Sequence, residues 1–181
     1  MNQHLNQHLN AMHPAAHPHR HAATLRRGFG LIEALVSVLL LSFCALGYAA
    51  LQARGLASNA SAMWRTKAAL LSSDMADRLR ANQAGVASGA YRSLSSVTVV
   101  TDCGSSNACT PARMALLDYY QWSKVLANAL PNGVGAVCID ASPDDGSASL
   151  PACDGAGNAY AVKVFWTEHG SDQRLSISVR P

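Results

Sequence analysis

One run limits what this chain can fold into more than any other: from Phe29 to Ala53, 25 residues pass with a single charge, Glu33. The only other clearly polar residues in it are Ser37, Ser42 and Gln52. A helix needs roughly 20 apolar residues to cross the hydrocarbon core of a bilayer, so the run is long enough. A carboxylate inside such a helix costs about 2.5 kcal/mol or more on insertion scales, which implies a function or a partner for Glu33.

The rest of the composition agrees with an anchor joined to one small domain. Of 181 residues, 14% are charged and 49% hydrophobic. The formal charge of +3 comes entirely from Arg20, Arg26 and Arg27, which precede Gly28 with no acid among them; 11 basic and 11 acidic residues remain after it. A balanced chain offers no electrostatic case for nucleic-acid binding. Six of the seven histidines lie in the first 21 residues, among proline and asparagine. Histidine-rich tracts can bind metal, but a segment without helical periodicity ahead of an apolar run reads as a removable leader. Met12 is a second candidate start.

Other export signals fit the run less well. Arg26-Arg27-x-Phe29 suggests a twin-arginine signal, yet Glu33 and the length of the run oppose a short removable segment. Leu41-Ser42-Phe43-Cys44 has the outline of a lipoprotein site, with bulky Phe43 where a small residue is needed. Ala60-Ser61-Ala62 would suit an ordinary signal peptidase, but it lies well beyond the apolar core. By contrast, Arg26-Arg27-Gly28-Phe29-Gly30-Leu31-Ile32-Glu33 resembles the processing site of type IV prepilins. The resemblance implies cleavage between Gly28 and Phe29 by a prepilin peptidase, methylation of the new amine, and an assembly role for Glu33. It divides the chain into a leader (1–28), a transmembrane or filament-core helix segment (29–53) and a periplasmic head (54–181).

The helix is expected to continue past the membrane. From Gln52 to Ala81 there is no proline and one glycine, Gly55. Leu56, Ala60, Met63, Trp64, Leu71, Met75 and Leu79 recur at spacings that make one apolar stripe. Arg65, Ser72, Asp77 and Arg80 fall largely off it, and Asp74 and Arg78 are four apart, a favourable pair. Asn82 and Gly85 are stop signals. A helix over Phe29–Ala81 would be about 80 Å long. No proline interrupts it, although many pilins carry one in the apolar half.

Beyond Asn82, Val97–Thr101 is β-branched and predicts a short strand. Thr110-Pro111 predicts an N-cap with proline in the first turn, followed by Leu116, Tyr119, Tyr120, Leu126 and Leu130 at helical spacing. Pro131-Asn132-Gly133 ends that helix, Val134–Asp140 predicts a strand, and 141–158 predicts a long loop. Tyr160, Val162, Val164 and Trp166 alternate, as do Leu175, Ile177 and Val179, with Glu168–Asp172 between them as a hairpin turn. One face of that sheet is expected to be wet, carrying Lys163, Ser176, Ser178 and Arg180. The fold class is α+β: one long N-terminal helix packed on a small antiparallel sheet of three or four strands.

Five cysteines divide by location. Cys44 lies in the apolar run as a small apolar residue. Cys103, Cys109, Cys138 and Cys153 lie in the exported part, where disulfides form. Of the three possible connectivities, local pairing of Cys103 with Cys109 and Cys138 with Cys153 is the simplest. Zinc is the alternative, without a C-x-x-C spacing to support it. Asp140, Asp144, Asp145 and Asp154 could gather around calcium, though their spacing matches no EF-hand. Trp122 and Trp166 read as core. After Gly28 the one histidine is His169, and G-x-S-x-G, a P-loop and H-E-x-x-H are absent. No enzyme activity and no cofactor are expected.

The later motifs extend the resemblance. Asp74-Met75-Ala76-Asp77-Arg78-Leu79-Arg80-Ala81-Asn82, followed by Tyr91, is similar to minor pilins of the PilV type. So are Trp122, Leu130-Pro131-Asn132-Gly133 and Tyr160-Ala161-Val162-Lys163-Val164-Phe165-Trp166. Gly30 departs from the family, where threonine is common. The resemblance implies a minor pilin that helps initiate or cap a type IV pilus. Its partners would be prepilin peptidase, other minor pilins, the major pilin and, as a candidate, a tip adhesin. It would reside in the inner membrane before entering the pilus. Two alternatives stand beside it: a minor pseudopilin of a type II secretion system, and a single-span protein with a periplasmic binding domain.

Overall fold

The computed structural model describes Gly28, residues 30–100, Cys103 and residues 108–181. The leader histidines, Arg26-Arg27, Phe29 and Thr101 lie outside the described residues. In chain order the elements are α1 (Leu31–Ala81), α2 (Gln83–Ala87), β1 (Ser93–Leu94), α3 (Pro111–Ala129), β2 (Val134–Ile139), β3 (Tyr160–Glu168) and β4 (Ser171–Val179). The strands form one antiparallel sheet in the order β1-β2-β3-β4. The class is α+β, as the patterning requires. Two compact units divide at Gly47 and Tyr48, within α1.

In the unit from Tyr48 onward, α1 presents Ala68, Ser72, Met75, Ala76 and Leu79 as its buried residues. Trp64 and Leu71 pack partly against the same core, while Leu56 and Met63 are exposed. The buried stripe is therefore centred on smaller residues than the apolar spacing predicts. Ser72, expected off the stripe, is fully buried; its hydroxyl donates to Ala68 O at 2.8 Å, which removes the penalty for a dry polar group. Helix α3 begins as its sequence demands: Thr110 caps it, accepting from the Arg113 N–H, and Pro111 occupies the first turn. Its Trp122 is fully buried and donates from Nε1 to Leu71 O at 2.8 Å, tying α3 to α1.

Strands β3 and β4 pair over their full length, and His169 and Gly170, both at positive φ, make the two-residue turn. That is the backbone demanded by a tight hairpin whose twist matches its strands. The turn is shorter than the polar stretch Glu168–Asp172 suggests. Tyr160, Val162, Val164 and Trp166 face the helices, in one core with Val137, Ile139 and Val179.

Two expectations need correction. Val97–Thr101 is not a strand over its described residues: β1 is Ser93–Leu94, paired with Cys138 and Val137, and Val97 and Val99 are exposed. The edge of β2 explains this. The Ile139 N–H donates to Arg92 O, so alternate residues of β2, Gly135 included, direct their backbone toward β1. The Gly135 carbonyl there already accepts from the Tyr119 hydroxyl at 2.7 Å. A helix side chain thus caps the edge that a longer β1 would use. Second, the sheet face opposite the helices is not wet at Lys163, which is fully buried beneath the loop between β2 and β3. Ser178 and Arg180 on that side remain exposed.

Gly135 and Gly55 should respond to alanine with opposite signs. A Cβ at Gly135 would lie 2.3 Å from the Trp122 ring, whereas one at Gly55, inside α1, meets nothing within 4 Å. Gly135→Ala should destabilise by about 1–3 kcal/mol through overpacking. Gly55→Ala should stabilise the helix by roughly 0.5–1 kcal/mol. Thermal unfolding of the detergent-solubilised chain checks both; a neutral Gly135→Ala would contradict the packing account.

Candidate functional site

The first stretch of α1 supplies the chemistry that sets this chain apart. Its large side chains, among them Leu31, Leu35, Leu39, Phe43 and Leu51, are exposed, and the helix is long and apolar enough to cross a membrane. Gly28, exposed and non-helical, lies just ahead of it; Phe29, the other half of the expected cleavage bond, is outside the described residues. Glu33 stands in the first turn, and its N–H donates to Gly30 O at 3.0 Å. It makes no ion pair among the described residues. Ser37 and Ser42 donate back to Glu33 O and Val38 O, both at 2.7 Å. These i−4 bonds satisfy the hydroxyls within the helix itself, leaving the Glu33 carboxylate as the unmatched polar group on an apolar surface. Cys44 is a free, exposed thiol on the same surface.

At the far end of α1 the segment Asp74–Asn82 acquires a physical reason. Arg78 pairs with Asp74 at 3.1 Å and with Asp118 of α3 at 3.3 Å. The second oxygen of Asp118 accepts from the Tyr91 hydroxyl at 2.6 Å. Asn82 donates to Tyr91 Oη at 3.1 Å and to Pro111 O at 2.8 Å, and its Oδ1 accepts from the Gly85 N–H. A Cβ at Gly85 would lie 2.5 Å from Asn82 Nδ2, so glycine is required at this corner. Burial, and the proton shared toward Asp118, hold the Tyr91 phenol well above its ordinary range. Burial pushes Tyr119 up to about 12. Both remain neutral donors at any physiological pH. Asp118 joins α3 to both α1 and the segment before β1, which spacing along the chain did not reveal.

The four aspartates considered for calcium do not face one another across an open space. The centre is taken by an ammonium: Lys163 Nζ lies 2.5 Å from Asp140 Oδ2 and 2.7 Å from Asp145 Oδ1. It also donates to Pro151 O at 2.8 Å. Asp144 accepts from Ser176 at 2.5 Å, and Asp154 accepts from the N–H groups of Ala141 and Ala156. Arg174 donates to the carbonyls of Gly146 and Asp144. The loop is thus bound across the sheet by side chains of β3 and β4. Cys103 is bonded to Cys109 and Cys138 to Cys153. The second bond uses both sulfurs of the cysteine and aspartate group that zinc would need. A lone lysine in an apolar strand, followed by nothing acidic nearby in sequence, gave no sign of this; the aspartates are 18 or more residues away.

The pH dependence of this cluster follows from its partners. Burial alone would raise Asp140, but the Lys163 ammonium and the Ser142 N–H outweigh it and bring the carboxyl below its ordinary value. Lys163 also holds Asp145 low. Burial alone would lower Lys163, but the two carboxylates outweigh it and raise it. Lowered carboxyls stabilise above their unfolded value, about 3.9, and that gain is lost as pH falls through the folded value. A raised lysine stabilises below about 10.4, and its gain is lost as pH rises through the folded value. The difference in Tm between the parent and Asp145→Asn should therefore be constant from about pH 5 to pH 9 and close on both sides. A gap that survives at pH 2 would show that Asp145 acts through shape and not charge.

A family model described as Tt1218-like, type IV pilin Tt1218, matches residues 50–120. No curated protein and no solved structure matches the chain. The matched stretch contains the second part of α1, the Arg78–Asp118–Tyr91–Asn82 network and the first half of α3. Over those residues the match supports a relationship to the type IV pilins.

Proposed function

We propose that this chain is a minor type IV pilin, a structural subunit and not an enzyme, that takes part in initiating or capping a pilus. One observation carries the reading: a single uninterrupted helix of 51 residues begins as an exposed apolar surface with one carboxylate and ends as part of a packed core. An exposed surface of that kind needs lipid or other apolar helices around it. The basic residues Arg20, Arg26 and Arg27 favour a cytoplasmic start, placing the head in the periplasm. Prepilin peptidase would cut between Gly28 and Phe29, and the new Phe29 amine would be methylated. The match to a type IV pilin model over residues 50–120 supports the same reading from an independent part of the chain.

Within the filament, Glu33 would meet the Phe29 amine of a neighbouring subunit. A carboxylate in a dry bundle must be paired or protonated, so pairing rewards one axial register and disfavours the rest. Other minor pilins and the major pilin are the proposed neighbours, with a tip adhesin beyond them.

Glu33→Val tests the assembly step. It should reach the membrane at least as well as the parent, because the costly group is gone. It should fail to enter or start pili, since an amine buried without its counter-charge costs on the order of 3–5 kcal/mol. Membrane level, leader removal and content in sheared pili are the three measurements. Equal incorporation with normal processing would remove Glu33 from the mechanism. Mass spectrometry should find methylated Phe29 at the N-terminus. Deletion should abolish pili; loss of protein secretion with pili intact would reassign the chain to a type II secretion pseudopilin.

A further inference from the structure

The Lys163 cluster lies against the Cys138–Cys153 bond, and the positions of its ligands are informative. Asp140 stands two residues after Cys138. Pro151 and Ala152, whose carbonyls accept from Lys163 at 2.8 and 3.4 Å, immediately precede Cys153. Asp145 contributes both its carboxylate, at 2.7 Å, and its backbone carbonyl, at 3.4 Å, from the middle of the loop. One ammonium therefore grips the strand end beside the first cysteine, the loop between, and the two residues before the second. Lys163 itself is on β3, held by pairing to Ala136 on one side and Ser176 on the other, and is fully buried. The sulfurs of Cys138 and Cys153 and a carboxylate oxygen of Asp140 lie within 4.8 Å of one another.

We propose that Lys163 is a positioning residue for oxidation: its ammonium folds the loop over the sheet and brings Cys153 to Cys138, so that the ion cluster templates the disulfide. Two properties make a lysine on β3 suited to this. The strand is anchored on both sides before the loop closes, so Nζ offers its three donors from a fixed point. Its charge also neutralises Asp140, whose bare carboxylate beside the sulfurs would oppose formation of the attacking thiolate. The step balances with a disulfide oxidant such as oxidised glutathione. Each thiol gives up its proton, the Sγ–Sγ bond forms, the oxidant's S–S bond breaks, and two glutathione thiols leave. The proposal is independent of the filament reading.

Cys103–Cys109 provides an internal control, because no residue of its short loop contacts Lys163 among the described residues. The full chain in detergent is equilibrated across ratios of reduced to oxidised glutathione, trapped by alkylation and mapped by peptide mass spectrometry. Lys163→Met should need at least about a tenfold more oxidising ratio for half-formation of Cys138–Cys153, equivalent to ~30 mV. Cys103–Cys109 should titrate as in the parent, and Lys163→Arg should recover part of the shift. Asp145→Asn removes one partly exposed arm without emptying the buried site, and should shift the same bond about threefold. It serves if Lys163→Met does not fold. Unchanged titration of Cys138–Cys153 in the variants overturns the proposal. So does an equal shift of both disulfides, which would report general loss of stability and not positioning.

Discussion

Strand β3 meets water on neither face, and the order of the head follows from that. Toward the helices it presents Tyr160, Val162, Val164 and Trp166 to the side chains of α1 and α3. Toward the opposite side it presents Ala161, Lys163 and Phe165, all buried. Covering the first face takes only apolar packing, worth roughly 25 cal/mol per Å² removed from water. Covering the second brings a lysine out of water, and such a charge is tolerable only when paired and hydrogen-bonded. The loop between β2 and β3 therefore has to supply oxygens, and its aspartates and carbonyls do so. Its chemistry is dictated by one side chain of the strand it crosses.

Helix α1 shows the same logic of environment along its own length. Until about Leu56 its side chains are exposed, and its only charge is Glu33 before Arg54 is reached. From Ala68 onward small residues alternate with Met75 and Leu79 against the core, and charges gather on the outer side. The small residues let α3 approach closely enough for the Trp122 indole to reach the backbone of Leu71. The network of Arg78, Asp118, Tyr91 and Asn82 then fixes the end of α1 against the start of α3. A subunit that transmits force or register through one helix needs its head held firmly to that helix, and these contacts provide the means.

Much of this was readable before any fold was known, wherever the signal was local. The Thr110 cap, the Leu130-Pro131-Asn132-Gly133 stop and the β3–β4 hairpin each depend on residues within a few positions of one another. The end of α1 at Ala81 is of the same kind. Val97–Thr101 misled because β propensity needs a free partner, and the Tyr119 hydroxyl occupies the edge of β2 that this segment would use. Ser72 misled because a hydroxyl bonded to its own helix counts as apolar in packing terms. Asp118 escaped notice because its partners are 27 and 40 residues away.

What the sequence determined alone was the division of the chain into environments. A charge-free run, a single early carboxylate and the turn from uniform to one-sided hydrophobicity are properties of order along the chain, and they require no folded partner to exist. What only the tertiary structure decided was which polar groups are buried and what compensates them. Lys163 alternates with apolar neighbours as an outward, solvated residue would. Its burial comes from a loop that crosses it, and its stability from carboxylates 18 and 23 residues earlier in the chain. Compensation of charge is a matter of distance in space, over a few ångströms, and distance along the chain carries no record of it.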